Sequence, residues 1–279
     1  MGRVLIAGAG YVGIELGRSL AAAGMQVVAL RRRAELVPAP LRAVAADLSD
    51  PASLRALEGP FDAIAYTASA DSSSDDDYVK AYITGLENLL SAVAAPRVVF
   101  TSSTAVYAQT DGGWVDESSP AESSHFTGKR LREAEALVLE RATEGVVLRL
   151  GGIYGPGRQS LLGLVREGRA SVADGPPEYT NRFHRDDCAG ALAHLLTLDN
   201  PKSLYLGVDD DPVDRRTMIE WLAQELGAPP PQVKPAGQAQ GGRRSLSNKR
   251  CRNALLKASG YRLLHPSFRD GYRALLTAP

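Results

Sequence analysis

The sequence has few cysteines, no excess charge and no long apolar run, and each absence excludes a class of protein. Its two cysteines, Cys188 and Cys251, are far apart and have no histidine or cysteine at ligand spacing, so we expect neither a disulfide scaffold nor a metal site. The 32 basic and 32 acidic residues balance to a formal net charge of zero, which gives no indication of a nucleic-acid partner. No apolar run approaches the roughly 20 residues that cross a membrane, so we expect no membrane partner either.

The N-terminus runs directly into a strand-like segment, Arg3–Ala7, without the basic, apolar and small-residue pattern of a secretory signal. Together with the scarcity of cysteine, this start leads us to expect a cytoplasmic protein. A length of 279 residues is enough for one large domain or two small ones.

Short apolar runs alternate with Ala- and Leu-rich stretches over the first half of the chain. This alternation predicts βαβ units and an α/β fold of the Rossmann type, a doubly wound parallel sheet with helices on both faces. After Leu150, Gly and Pro become frequent. We therefore expect a Rossmann domain over residues 1–155 and a small C-terminal substrate lobe over residues 156–279, which returns one strand to the sheet. The predicted strands of the first half are Val4–Ala7, Gln26–Leu30, Ala43–Ala46, Ala63–Tyr66, Arg97–Thr101 and Val146–Leu150.

Helical stretches lie between and after these strands. The acidic stretch Asp71–Asp77 predicts a solvated loop with an Asp N-cap in front of one of them. The predicted helices are Val12–Ala23, Pro51–Leu57, Tyr78–Ala94, Leu131–Thr143, Asp187–Leu198, Arg216–Leu226, Asn248–Ser259 and a last one within Ser267–Leu276, and Ser203–Leu206 is the predicted returning strand.

A glycine-rich turn follows the first predicted strand and opens the first predicted helix. It reads Gly8-Ala9-Gly10-Tyr11-Val12-Gly13, which is the G-x-G-x-x-G spacing of dinucleotide-binding folds. Gly8 would make the tight turn, Gly10 would let the backbone approach a pyrophosphate, and Gly13 would allow close packing of helix on strand. Free N–H groups at the helix start, where Tyr11 and Val12 lie, favour a phosphate. The turn therefore predicts a dinucleotide site.

The end of the second predicted strand indicates which dinucleotide binds. NAD sites place Asp or Glu there to bind the ribose 2′-OH, whereas this strand ends in Arg31-Arg32-Arg33. An arginine fork binds a 2′-phosphate bidentately, so Arg31 and Arg32 predict NADP, with NAD as the second choice. The alternative is a solvated basic turn. Asp47 and Leu48 follow the third strand, where they either border the adenine or begin a turn.

Three later stretches, with the glycine turn, resemble the short-chain dehydrogenase/reductase superfamily, and most closely its extended and atypical branch, the NAD-dependent epimerase/dehydratase family. Ser102-Ser103-Thr104-Ala105-Val106-Tyr107 is similar to the Ser-Ser-x-x-Val-Tyr of that family. Leu148–Gly157 is close to its Leu-Arg-x-x-x-Val-Tyr-Gly-Pro-Gly, and Asn181–Asp187 resembles its Arg-x-Ile-His-Val-Asp-Asp segment. The four motifs occur in the family's order over nearly the whole chain.

The resemblance implies roles for a hydroxyl, a lysine and a small-residue turn. Ser103 falls where the family has a catalytic Ser or Thr that hydrogen-bonds a substrate oxygen. Lys129 falls where the family has the lysine of Tyr-x-x-x-Lys, which would hold the nicotinamide ribose. Thr67 and Ala68 fall in the turn beside the cofactor. The alternatives are a serine that caps a turn and a solvated helix lysine.

The chain departs from the family at the tyrosine, which is the family's general acid/base. His125 stands at that position, four residues before Lys129. An imidazole can transfer protons near neutral pH, so His125 is a candidate proton donor. The alternative is an exposed histidine near the start of a helix.

Substrate contacts are predicted at four further positions. Thr104 lies beside Ser103, and Tyr154 lies at the carboxyl end of a strand, where such sheets bind ligands. His184 either lines the substrate cleft or satisfies loop backbone groups. The resemblance implies that Arg243 meets the pyrophosphate of a nucleotide-sugar-like substrate.

These residues predict an NADP-dependent oxidoreductase or epimerase that acts on a carbonyl, alcohol or nucleotide-sugar-like small molecule, as a monomer or homodimer. The missing tyrosine leaves one alternative open: a redox-sensing regulator that binds NAD(P) without hydride chemistry. A third hypothesis is a dehydratase or isomerase that uses tightly held NAD(P) without net oxidation or reduction of its substrate.

Overall fold

A computed structural model of the chain describes residues 2–235 and 247–277. In these residues the strands are β1 (Arg3–Ala7), β2 (Gln26–Arg31), β3 (Arg42–Ala45), β4 (Ala63–Tyr66), β5 (Arg97–Ser103), β6 (Trp114–Val115), β7 (Glu144–Leu150), β8 (Gly152–Tyr154), β9 (Ser171–Ala173), β10 (Tyr179–Thr180), β11 (Arg182–His184), β12 (Leu204–Gly207), β13 (Val213–Asp214), β14 (Gln232–Lys234) and β15 (Arg250–Cys251).

The α-helices of the same residues are α1 (Tyr11–Ala22), α2 (Asp75–Tyr78), α3 (Gly85–Ala92), α4 (Phe126–Arg141), α5 (Ser160–Arg166), α6 (Arg185–Thr197), α7 (Arg215–Leu226), α8 (Ala254–Ala258) and α9 (Phe268–Thr277). Single 3₁₀ turns occur at Ala34–Leu36, Ser53–Ala56 and Thr104–Val106, and a π-helical segment at Val79–Thr84 joins α2 to α3. Among the described helices, none is both long enough and apolar enough to cross a membrane.

Seven parallel strands form the central sheet in the order β12-β7-β5-β4-β1-β2-β3. The strand order reverses direction between β1 and β4, and in such sheets the crevice at the carboxyl ends of these two strands is where ligands bind. β12 comes from the C-terminal half and pairs with β7, as expected for the returning strand. The expectation of a doubly wound Rossmann sheet is confirmed.

The strands of the sheet are apolar over most of their length because both faces of the sheet are covered. Val4, Leu5 and Ile6 of β1 alternate between the two faces and are all fully buried. One face packs against α3 and α4, and the other packs against α1 and α6. Two hydrophobic layers therefore enclose the sheet and fix the positions of its strand ends.

The C-terminal part has a hydrophobic core of its own. Buried side chains of α5, α7 and α9, such as Leu162, Leu222 and Phe268, pack together with Tyr154. β9 pairs with β14, and β10 pairs with β13, outside the central sheet. β8 follows β7 directly in the chain and pairs with β11. These two strands connect the lobe to the carboxyl ends of the sheet strands.

Two predicted helices are shorter than expected. The helix expected over Asn248–Ser259 begins only at Ala254, because the preceding residues form β15 instead, and the Cys251 N–H donates to Asn181 Oδ1 at 2.7 Å. The helix expected over Pro51–Leu57 is a single 3₁₀ turn. The strand β15 forms by pairing with partners that are far away in sequence, so the local sequence pattern could not predict it.

The helix expected over Tyr78–Ala94 begins earlier, at Asp75, and contains the π-helical segment. The Tyr66 hydroxyl donates to the carbonyl of Ala81 within this segment. A side chain inserted into the helical hydrogen bonds widens the turn. The segment borders the cleft at the end of β4, so this irregularity lies beside the candidate site.

A buried ion pair joins α4 to the central sheet. Glu135 of α4 accepts two hydrogen bonds from Arg149 of β7, at 2.9 Å from Nε and 2.7 Å from Nη2. Ser102 of β5 donates to the same carboxylate at 2.5 Å, and the remaining Arg149 nitrogen donates to the Tyr107 hydroxyl at 2.9 Å. Glu135 is 6% exposed and Arg149 is 7% exposed. The pair therefore fixes the helix that begins beside the end of β5.

The first prediction concerns this pair. Glu135→Gln removes the negative charge and leaves the Arg149 guanidinium buried without its counter-ion. Breaking a buried pair from one side costs about 3–5 kcal/mol, so we expect a loss of that order in the free energy of unfolding, measured by urea denaturation. Glu133→Gln is the control, since Glu133 lies on the same helix in an exposed pair with Arg130, where about 0.5 kcal/mol is expected. Equal losses of unfolding free energy in both variants would contradict a structural role of the buried Glu135–Arg149 pair.

Candidate cofactor and active site

The turn between β1 and α1 is close-packed against the end of β4. Gly8 has a φ of +100°, and a Cβ on it would lie 2.3 Å from the Ala68 nitrogen. Thr67 Oγ1 donates to the Gly8 carbonyl at 2.8 Å, while a Cβ on Gly13 would lie 2.6 Å from that same carbonyl oxygen. Only glycine fits at these two positions, which explains two of the three glycines of the motif.

The third glycine faces open space. A Cβ on Gly10 would meet only the Gly8 carbonyl oxygen, at 3.9 Å. Gly10 is also the N-cap of α1, and this helix has neither a side-chain cap nor an acidic residue in its first turn. Uncapped N–H groups beside a bare backbone surface suit a phosphate. The turn therefore fits the pyrophosphate of a dinucleotide.

Tyr11 and Val12 contribute backbone to this helix start, while their side chains point elsewhere. The Arg158 guanidinium lies over the Tyr11 ring, 4.2 Å from its centroid, and the Tyr11 hydroxyl is buried. Val12 packs against the core beside α6. Both side chains secure α1 against the C-terminal half.

A cavity of about 250 Å³ opens beside the glycine turn. The ends of β1, β2 and β4 and the residues after β3 meet there, as the strand order requires. Eight residues expected at the cofactor line this cavity: Gly8, Gly10, Arg31, Arg32, Asp47, Leu48, Thr67 and Ala68.

Asp47 begins a turn, as one of the two expectations for it stated, and it also lines the cavity. Its Oδ1 accepts hydrogen bonds from the Ser49 backbone N–H at 2.9 Å and from the Ser49 hydroxyl at 2.7 Å, so it begins a turn. It also lines the cavity. Leu48 is held beside it, because Asn88 Nδ2 donates to the Leu48 carbonyl at 2.9 Å.

Asp71, which lies in the acidic stretch expected to form a solvated loop, faces Arg32. Asp71 accepts two hydrogen bonds from Arg32, at 2.7 and 2.5 Å, and the guanidinium lowers the pKa of this carboxyl. Both side chains remain about half exposed, at 53% and 54%. Ser74, and not an aspartate, is the N-cap of α2. An acidic loop that precedes a helix at the end of β4 was the only signal for this contact.

Lys80 and Asp77 also line the cavity and were not predicted. They belong to the segment that leads from α2 into the π-helical turn. No spacing in the sequence distinguishes them from solvated helix residues, because their position depends on how this irregular helix crosses the cleft.

Ser103 is the last residue of β5. Its Oγ accepts a hydrogen bond from the Ala105 N–H at 3.1 Å and so caps the 3₁₀ turn that contains Thr104. α4 packs directly on this turn, since a Cβ on Gly128 would lie 2.8 Å from the Ala105 carbonyl oxygen. The helix start that carries His125 and Lys129 therefore lies beside Ser103.

His125 is the N-cap of α4. Its Nδ1 lies 2.9 Å from Thr127 Oγ1 and accepts a hydrogen bond from the Thr127 N–H at 3.4 Å. If Nδ1 accepts, the proton of a neutral imidazole is on Nε2. The Lys129 N–H donates to the His125 carbonyl at 3.1 Å, and the Lys129 side chain is exposed. The half-buried ring therefore has a donor available at Nε2.

Two expected substrate contacts are inside the lobe and not on a cleft wall. Tyr154 and His184 are each 2% exposed, and their rings contact each other with centroids 5.2 Å apart. Tyr272 stacks on the other side of Tyr154 at 4.6 Å. This correction has a physical reason: Tyr272 of α9 covers the Tyr154 ring, and His265, in the segment before α9, covers the His184 ring at a centroid distance of 3.9 Å. Arg243 lies outside the described residues.

His184, Asp187 and His265 bring three metal-ligating side chains within 4.8 Å of one another. The Asp187 carboxylate, however, already accepts hydrogen bonds from Tyr261, Leu264 and His265. Burial and the neighbouring His265 lower the pKa of His184 to about 4. His184 is the N-cap of α6, and Asp187 anchors the segment before α9.

Comparisons with known proteins agree with this architecture. The sequence profile described as the NAD dependent epimerase/dehydratase family matches residues 4–180. A 3-diazoavenalumate denitrifying reductase from a Streptomyces species is 31% identical over 96% of this chain and 98% of its own length. A dTDP-6-deoxy-L-talose 4-dehydrogenase (NAD(P)(+)) from Kitasatospora kifunensis is 37% identical over 58% of this chain and 56% of that protein.

A solved structure from Methylobacillus flagellatus, assigned to the NAD-dependent epimerases/dehydratases, superposes with a TM-score of 0.80 at 36% identity and covers 99% of this chain and 97% of that one. The match spans both the sheet and the lobe. The chain therefore belongs to the NAD dependent epimerase/dehydratase family of short-chain dehydrogenases/reductases, and its cofactor is a nicotinamide dinucleotide.

Proposed function

We propose that the protein is an NADP-dependent oxidoreductase that acts on a carbonyl or alcohol group of a small molecule. The observation that carries this proposal is the packing of the start of α4, which carries His125 and Lys129, on the 3₁₀ turn that Ser103 caps. The Streptomyces relative, which is matched over almost its whole length, is a reductase, and the Kitasatospora relative is a dehydrogenase. An epimerase that uses the same site is the related form of this proposal.

The glycine turn and the start of α1 would hold the pyrophosphate of the dinucleotide, with Gly10 giving the close approach. Asp47 and Leu48 would border the adenine, and Thr67 and Ala68 would lie along the cofactor at the end of β4. When bound, the cofactor supplies the hydride chemistry, and the protein contributes orientation and proton transfer.

The second prediction separates the two kinds of glycine in the turn. Gly10→Val places a side chain in the open space, so it should abolish nucleotide binding, measured by calorimetry, while Tm changes little. Gly8→Val meets the Ala68 backbone and requires a strained positive φ, so it should lower Tm strongly as well. Unchanged nucleotide affinity in a folded Gly10→Val variant would place the cofactor elsewhere.

Arg31 and Arg32 support NADP as the cofactor, although Arg32 is paired with Asp71. An ion pair with both side chains half exposed contributes at most about 1 kcal/mol. A 2′-phosphate has more negative charge than one carboxylate and offers two oxygens to the same fork. The phosphate would therefore displace Asp71 from Arg32, and Asp71 would reduce the preference for NADP without reversing it.

The third prediction tests this competition. Asp71→Asn should raise the ratio of NADP to NAD affinity by about threefold to tenfold, because Arg32 becomes free and a repelling charge is lost. Arg31→Asp should erase or reverse the preference. Asp76→Asn is the control, since Asp76 lies in the same acidic run but does not line the cavity. A wild type that binds NAD tenfold more tightly than NADP in calorimetry would refute the NADP assignment.

The site residues can divide the catalytic work. Ser103 Oγ accepts from Ala105, so its own proton is available to a substrate oxygen. The exposed Lys129 ammonium would hold the nicotinamide ribose and add positive charge. His125 would donate a proton from Nε2 in the place of the family tyrosine, with Nδ1 held by Thr127.

The fourth prediction concerns His125. His125→Ala should lower kcat by about 10²–10⁴-fold with cofactor affinity little changed, and His125→Gln should behave similarly because an amide cannot supply the proton. Ser124→Ala, at the exposed neighbouring position, is the control. Full activity of His125→Ala in NADPH oxidation assays would assign the proton to water or another group.

The absence of the tyrosine favours one other function, a regulator that binds NAD(P) without hydride transfer. NADPH oxidation by the wild type over a panel of aldehydes, ketones and nucleotide sugars distinguishes the two functions. Turnover of any of these compounds supports the oxidoreductase. Tight NADPH binding without turnover of any of them supports the regulator.

A further inference from the structure

Lys80 brings a third basic side chain to the cofactor cavity. It lines the cavity together with Arg31, Arg32, Asp47 and Asp71. Lys80 is exposed, and in the part of the chain that the structure describes it forms no direct ion pair. Hydrogen bonds from an ammonium to phosphate oxygens are charge-assisted and strong. The Lys80 ammonium is therefore available to a phosphate group bound in this cavity.

The carboxylates near Lys80 show which end of the cavity this lysine faces. Hydrogen bonds from Arg32 lower the pKa of Asp71 most, against a smaller opposing effect of burial, and the charges of Arg32 and Lys80 lower it further. Burial tends to raise the pKa of Asp47, but hydrogen bonds from Ser49 and the charge of Lys80 lower it on balance. The charge of Arg32 acts on Asp47 in the same direction. Both carboxylates therefore interact with both cations, so Lys80 and Arg32 face the same end of the cavity.

An irregular helix carries Lys80 to this end of the cavity. Lys80 lies in the π-helical segment Val79–Thr84, and its carbonyl accepts a hydrogen bond from the Gly85 N–H, five residues later instead of the usual four. The Tyr66 hydroxyl donates to the Ala81 carbonyl in the same wide turn. One extra residue in a turn rotates the residues before it by about 100° relative to those after it. The π-helical segment therefore determines in which direction Lys80 points relative to α3.

Gly85 lets this segment pack closely against the wall of the cavity. A Cβ on Gly85 would lie 2.9 Å from the Tyr66 hydroxyl and 3.2 Å from the Lys80 carbonyl oxygen. It would also lie 3.0 Å from the Cβ of Leu48, which lines the cavity. The backbone that carries Lys80 is therefore held close to the residue that would border the adenine.

We propose that Lys80 binds the 2′-phosphate of NADP together with Arg32 and thereby determines cofactor specificity. Asp71 interacts with both cations in the free protein, and the phosphate would take its place. A phosphate monoester has more negative charge than a carboxylate, so it interacts more strongly with the two cations. NAD has only a hydroxyl at this position and would gain little from Lys80. The proposal rests on the NADP assignment of the proposed function and adds a specificity-determining residue to it.

A pair of small nucleotides isolates the 2′-phosphate without any turnover. Adenosine 2′,5′-bisphosphate and 5′-AMP differ only in that phosphate, and calorimetry gives their affinities for the full chain. Lys80→Met should weaken binding of the bisphosphate about 10-fold, the loss expected for a hydrogen bond to a charged group, and should leave 5′-AMP binding nearly unchanged. Lys80→Arg should keep most of the bisphosphate affinity. Lys202→Met, which replaces an exposed lysine outside the cavity, should bind both nucleotides like the wild type.

Two results would overturn the role of Lys80 and leave the proposed function intact. If the wild type prefers the bisphosphate and Lys80→Met binds it equally well, Lys80 does not contact the 2′-phosphate. If Lys80→Met binds both nucleotides more weakly by the same factor, Lys80 contacts the part that they share. A wild type that binds both nucleotides with equal affinity would instead refute the NADP assignment of the proposed function, and the role of Lys80 with it.

A double-mutant cycle tests whether the π-helical segment acts through Lys80. Tyr66→Phe removes the hydroxyl that donates to Ala81 and keeps the buried ring, so it should reduce the preference for the bisphosphate over 5′-AMP several-fold. In the Lys80→Met background the same substitution should cause no further loss of preference, because the two residues act as a unit. An unchanged preference in Tyr66→Phe, or additive effects of the two substitutions, would overturn the positioning role of the segment.

Discussion

The buried pair of Glu135 and Arg149 is the interaction on which the candidate active site depends. It ties α4 to β7, and through Ser102 it also ties α4 to β5. The start of this helix and the end of β5 bring His125, Lys129 and Ser103 together. Such a pair gains little net stability over apolar packing, but its bidentate geometry fixes the helix relative to the strands. This pair therefore positions the candidate catalytic groups.

Charge is distributed unevenly around the cleft. On the cofactor side, Arg32 is paired with Asp71 at an exposed position, where the ion pair is weak and exchangeable. On the lobe side, Arg182 is buried and interacts electrostatically with the buried Asp209. A weakly held arginine suits a cofactor that is exchanged in each cycle.

The lobe shows why expectations about the substrate site were the least accurate. Tyr154 and His184 lie at strand ends, where ligands commonly bind, yet both are buried, Tyr154 against Tyr272 of α9 and His184 against His265. Their burial depends on the pairing of β8 with β11 and on a segment much later in the chain.

The sequence by itself determined the Rossmann sheet and its glycine turn. Apolar runs at regular spacing need only local pattern to be recognised, and the requirement for glycine at Gly8 and Gly13 follows from a turn that the motif encodes. Only the tertiary structure decided which side chains meet across the cleft. The contact of Asp71 with Arg32 joins segments distant in sequence, and its geometry is set by packing, which no local pattern records.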